Sequence, residues 1–135
     1  MNNIIIKEDI IPEVEELLNL YNDVQWLAYT DDSARLKNAM DNSLKVWTCW
    51  DDDKLVGLAR VVGDGYTIIY IQDILVLESY QGQGIGSKFL KLILEMYKSV
   101  RQIVLMTDET EKTIKFYQKN GLVNASDYKI VTFMK

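Results

Sequence analysis

Apolar positions along this chain change their spacing several times, and each change marks the edge of an element. Ile4, Ile5 and Ile6 give a short β pattern over residues 4–7. Pro12 suits a first helical turn, and Val14, Leu17, Leu18 and Tyr21 then recur on one helix face. A second helix follows Asp31 and Asp32, with Leu36, Ala39 and Met40 as its stripe. Residues 45–50 and 54–62 read as two strands separated by Asp51-Asp52-Asp53, a hairpin. Gly63-Asp64-Gly65 turns the chain into residues 66–77, by this pattern the longest strand. Helical spacing returns at Ile85, Phe89, Leu92, Ile93, Met96 and Val100. Residues 102–107 read as a buried strand, 109–120 as a last helix stopped by Gly121, and 128–134 as a closing strand. This order predicts one domain over residues 1–135, an α/β fold with a mixed, mainly antiparallel sheet.

Between the long strand and the amphipathic helix lies Gln81-Gly82-Gln83-Gly84-Ile85-Gly86-Ser87. A strand that enters a glycine-rich turn and then a helix N-terminus makes an anion cradle: glycines allow close approach, and first-turn N–H groups lack intrahelical partners. Spacing excludes two familiar versions. A P-loop counted from Gly82 needs a second Gly at position 87, and a dinucleotide fingerprint needs a third Gly there too; the residue is Ser87.

The remaining pattern, Gln81-x-x-Gly84-x-Gly86, resembles the acetyl-CoA pyrophosphate loop of the GCN5-related N-acetyltransferase (GNAT) family. Residues 71–80 resemble that family's fourth strand and the bend leading to the loop. Phe116-Tyr117-Gln118-Lys119-Asn120-Gly121-Leu122 resembles its second signature, an aromatic-Tyr-x-Lys-x-Gly helix end. Both motifs stand in the family's order, and the elements agree from end to end. The resemblance implies helices on both faces of the sheet and a splayed strand pair that takes the pantetheine arm of acetyl-CoA. The backbone of Ile74, Leu75 and Val76 would bind that arm, and residues Gln81, Gly82, Gln83, Gly84, Ile85, Gly86 and Ser87 the pyrophosphate. It also implies an acid role for Tyr117 toward the departing thiolate, and often an acidic group in the strand, here Asp73. Trp26 and Tyr29 fall in the connection that lines the acceptor site in this family.

Composition narrows the reading. A net charge of −5 and no long Lys/Arg cluster argue against nucleic acid and are compatible with a cationic amine. The three-residue apolar run at the N-terminus suits neither a signal peptide nor a membrane span, and one cysteine, Cys49, allows no internal disulfide; both point to the cytoplasm. No metal is expected. Lys88, Lys91 and Lys112 could meet cofactor phosphates, or be ordinary solvated lysines.

The chemistry leaves alternatives open. The chain has no histidine, so a base for the amine must be a carboxylate, a tyrosine or a water chain. Asp73 interrupts an apolar strand, where a carboxylate is costly to bury; it reads as a base, as an exposed strand-end group, or as a partner of Arg60 on the neighbouring strand. Tyr117 could equally pack against the sheet, and Trp26 and Tyr29 could be core. Glu78 could attract an amine or be a solvated turn residue. Where the family often carries an asparagine seven residues before the motif tyrosine, this chain has Thr110, which could instead cap the last helix. Residues 124–135 are short for the family's closing hairpin, an edge that a second subunit could complete as a homodimer. The expected activity is acetyl transfer from acetyl-CoA to a primary amine, most simply of a small molecule. The alternatives are a noncatalytic acyl-CoA-binding module and an acetyltransferase for protein lysines or N-termini.

Overall fold

Short acidic side chains set the turns of the sheet. The computed structural model describes residues 3–135, as two compact units divided between Leu105 and Met106. In the first, five strands lie in the order β1 (Ile4–Glu8), β2 (Lys45–Asp51), β3 (Lys54–Gly63), β4 (Ile68–Val76), β5 (Gln102–Val104). The first four are antiparallel and β5 runs parallel to β4. Asp52 takes a left-handed φ of 52° in the β2–β3 turn, a conformation that Asp tolerates better than most residues. In the β3–β4 turn the Asp64 carboxylate accepts the N–H groups of Tyr66, Thr67 and Ile68 and the Thr67 hydroxyl. These bonds, the Thr67 hydroxyl first, hold its carboxyl well below the usual range. The turn therefore uses residues 64–67, and β4 begins at Ile68 rather than at 66. At ten residues, β3 is longer than β4 at nine, which corrects the expected ranking.

Helices cover both faces of this sheet. They are α1 (Val14–Asp23), the short α2 (Leu27–Thr30), α3 (Ser33–Asp41) and α4 (Ile85–Met96). A Cβ on Gly57 would meet the Phe89 ring at 3.1 Å, so Gly57 faces α4 and leaves it room to approach. Trp47, paired with Ala59 on the same face, meets Tyr97 edge-on at 6.4 Å. Arg60, three residues from Gly57 and so on the opposite face, lies on the side of α1 and α3. There Leu17, Leu20, Tyr21, Leu36 and Met40 are buried, against Ile85, Phe89, Leu90 and Ile93 on the α4 side. Each such side chain contributes roughly 1.5–3 kcal/mol by leaving water.

The second unit carries α5 (Glu111–Lys119). Thr110 caps it: its hydroxyl accepts the Thr113 N–H at 3.2 Å. The end is a Schellman motif, with Gly121 at φ 94°, its N–H to Gln118 O, and Leu122 N–H to Tyr117 O. The strand expected at 128–134 is absent. A 3-10 turn, Ala125–Tyr128, ends on Lys129 at φ 62°, and Ile130 N–H bonds back to Ala125 O, a geometry that departs from an extended start. The β pattern of residues 130–134 finds no ladder, and Phe133 stays 93% exposed. Among the described residues no helix is long and apolar enough to cross a membrane, and no group of three metal-ligating side chains forms.

Candidate active site

β4 and β5 pair over three residues only, Ile68–Tyr70 with Gln102–Val104. Beyond Tyr70, β4 runs on to Val76 with β3 alone beside it, so the two strands part as expected. The Val76 carbonyl accepts the Gln81 carboxamide N–H at 3.0 Å, which ties the strand end to the first residue of the glycine motif. Two more bonds fix the 3-10 turn Glu78–Tyr80 between them. The Glu78 N–H donates to Asp23 at 2.7 Å, and the Tyr80 hydroxyl donates to Asp51 at 2.5 Å. The Glu78 side chain is exposed.

Gly82 and Gly84 have φ of 84° and 82°, and a Cβ at either would meet no protein atom within 4 Å. Backbone conformation, with open space above it, is thus what requires glycine here. Gly84 occupies the N-cap of α4, and Lys88 N–H donates to its carbonyl, so the amides of Ile85 and Gly86 precede the helical ladder. No acidic side chain occupies that first turn, and Lys88 lies exposed just beyond it. Unladdered amides, open space and the positive end of a helix dipole fit a diphosphate. Lys91 is exposed on α4, and Lys112 is exposed on α5 in the second unit.

Asp73 is 1% exposed and surrounded by donors. Arg60 Nε and the Tyr21 hydroxyl both reach its Oδ2 at 2.8 Å, and the Tyr29 hydroxyl reaches Oδ1 at 2.9 Å. The Arg60 pair open in the sequence is present, with Arg60 Nη1 also reaching Ser43 Oγ at 3.3 Å, and the exposed strand-end reading is not. A β-bulge at Gln72, between the pairs Val61–Ile71 and Arg60–Asp73, lets Gln72 Nε2 donate to Tyr29 Oη at 2.9 Å. Burial, then the Asp73 charge, pushes the Tyr21 and Tyr29 phenols above their ordinary value, so both stay protonated as donors.

Above this cluster opens a pocket of about 470 Å³ lined by Gln25, Trp26, Leu27, Ala28, Tyr29, Gln72 and Asp73. Trp26 and Tyr29 stack at 5.9 Å, with Tyr21 behind Tyr29 at 4.9 Å. The structure thus brings Trp26, Tyr29 and Asp73 together. Gln25 and Gln72 were not singled out by spacing, and the Tyr21 hydroxyl travels unseen in an apolar helix stripe. Tyr117 is half-buried on α5 beside Phe116, and burial pushes its phenol up. Cys49 is buried with its thiol pushed up to about 11, which removes it as a nucleophile near neutral pH.

A sequence model of the Acetyltransferase (GNAT) family matches residues 11–122. An uncharacterized ycf52-like N-acetyltransferase of Prochlorococcus marinus is 34% identical over 93 residues, which are 64% of this chain and 51% of that protein. The chain thus spans about half the length of that relative. A GNAT family acetyltransferase of Streptococcus pneumoniae TIGR4 is 39% identical, with a TM-score of 0.88 over 98% of this chain and 96% of that one. An aminoglycoside N-acetyltransferase solved with CoA shares the fold at 18% identity, with a TM-score of 0.73 over 100% of this chain and 96% of its own. The parted strands, the glycine turn and these matches agree, and the chain belongs to the GNAT family of acetyltransferases.

Proposed function

We propose that this chain transfers the acetyl group of acetyl-CoA to the primary amine of a small molecule, by direct attack in a ternary complex. The observation that carries this reading is one continuous path: the unpaired side of β4 from Ile71 to Val76 leads straight into a positive-φ glycine turn at the head of α4. Extended backbone suits an amide-bearing arm, and unladdered amides suit its diphosphate. The CoA complex of the aminoglycoside N-acetyltransferase neighbour supports acetyl-CoA as the donor.

Bound acetyl-CoA supplies the thioester carbonyl. Backbone groups of Ile74, Leu75 and Val76 hold its arm, and residues 81–87 its diphosphate. Trp26 and Tyr29 enclose the acceptor. Asp73 fixes both tyrosines, and the amine proton passes to solvent water at the open rim beside Leu27 and Ala28. The amine nitrogen bonds to the carbonyl carbon, the C–S bond breaks, and Tyr117 gives its phenolic proton to the thiolate. Burial pushes the phenol up, so it stays protonated and available until sulfur charge develops.

Thiol release with tyramine, spermidine, glucosamine and kanamycin tests the reading. Tyr117→Phe is expected to lower kcat about 100-fold, with acetyl-CoA affinity retained. Wild-type kcat is expected to hold from pH 8 to about 10, the ordinary phenol range, rather than fall there. A Tyr117→Phe enzyme of unchanged kcat contradicts the acid role, and silence with all four amines contradicts a small-molecule acceptor.

A further inference from the structure

The end of α1 repeats the closure seen at the end of α5, without the glycine. Gln25 N–H bonds to Asn22 O and Trp26 N–H to Tyr21 O, both at 3.0 Å, the same pair of bonds that Gly121 and Leu122 make. Gln25 stands where Gly121 stands, at φ 63°. Among the described residues of the first unit, the other non-glycine residues in this region are Asp9 and Asp52, whose short side chains tolerate it. A long unbranched side chain gains nothing from this backbone, so glycine would relieve the turn.

What the turn does achieve is placement. Gln25 lines the pocket beside Trp26. Asp73, Tyr29 and Gln72 of the wall are bonded into one network: Asp73 to Arg60, Tyr21 and Tyr29, and Tyr29 to Gln72. The Gln25 carboxamide is exposed and has no hydrogen-bond partner among the described residues. Asp73 is charge-matched by Arg60, and no other charged side chain lines the pocket. A neutral amide both donates and accepts, so it reads hydroxyl or carbonyl groups rather than charge.

We infer that Gln25 is a specificity-determining residue of the acceptor pocket, hydrogen-bonding a neutral hydroxyl or carbonyl group carried by the amine substrate from a turn strained to hold it there. This deepens the acetyltransferase reading and rests on it. Strained backbone of this kind clusters at functional sites.

The test compares wild type with Gln25→Gly and Gln25→Ala, using glucosamine as the hydroxyl-bearing amine and spermidine as one without hydroxyls. Gln25→Gly is expected to raise Tm by about 3 °C or more as strain is relieved. It should also raise the glucosamine KM about three- to tenfold, one neutral hydrogen bond, at unchanged kcat. The spermidine KM and the calorimetric acetyl-CoA affinity should stay within about twofold, since neither uses that bond. Gln25→Ala keeps the strain, so it should show the same KM loss without the rise in Tm. A glucosamine KM unmoved in both variants overturns the inference, and a Tm that does not rise with glycine overturns its strain argument. A wild-type protein that does not bind acetyl-CoA overturns the parent reading, and this inference with it.

Discussion

Asp73 shows how far a single residue can be read. A carboxylate inside an apolar strand is out of place by composition alone, and the hairpin order already names Arg60 as a neighbour. Tyr29 is legible as an aromatic of the acceptor connection, but Tyr21 as a donor is not, because a hydroxyl on the buried face of a helix leaves no trace in apolar periodicity. In the structure the carboxylate is held by three donors, Arg60, Tyr21 and Tyr29. Asp73 thereby anchors the pocket wall. Asp73→Asn leaves the 6%-exposed Arg60 without its counter-charge, and about 3–5 kcal/mol of stability should be lost. Denaturant unfolding measures this. A variant of native stability whose turnover alone collapses would return Asp73 to the role of base.

At the scale of elements, local signals were read well and pairing was not. The stripes of α1, α3 and α4 each bury residues on one side and are complete within one stretch of sequence. α2 is a single turn, too short to show a period. Residues 102–107 and 128–134 carry the same β composition, yet only Gln102–Val104 joins a ladder, because a strand is made by its neighbour. Lys129 in a left-handed conformation gives no warning in sequence, since Lys has no preference for it. The glycine turn was legible because φ above zero and open amides both demand glycine. Gly84→Ala places a methyl in space where no protein atom lies within 4 Å, at a φ that alanine resists. It should lower stability by only about 1 kcal/mol, yet weaken acetyl-CoA binding at least roughly tenfold, about 1.4 kcal/mol. Thermal unfolding and calorimetry on the same sample separate the two effects, and an unchanged affinity would remove Gly84 from the cradle.

For the whole molecule, charge and ligand pull in opposite directions. A chain of net charge −5 repels a polyanion at long range, but salt screens that beyond roughly 8 Å. In the proposed function recognition is therefore local, at the Gly84–Gly86 amides and Lys88, with the aromatic pocket further along the same strand. Family membership supports this arrangement, and the acceptor is the part that no motif encodes, since pocket walls are drawn from variable connections. The most direct test of the central claim is calorimetric titration of the folded protein with acetyl-CoA, with ATP and NAD as controls. Binding in the micromolar range or tighter, about −8 kcal/mol, and selective for acetyl-CoA is expected. No heat with acetyl-CoA, or equal binding of ATP and NAD, would contradict it.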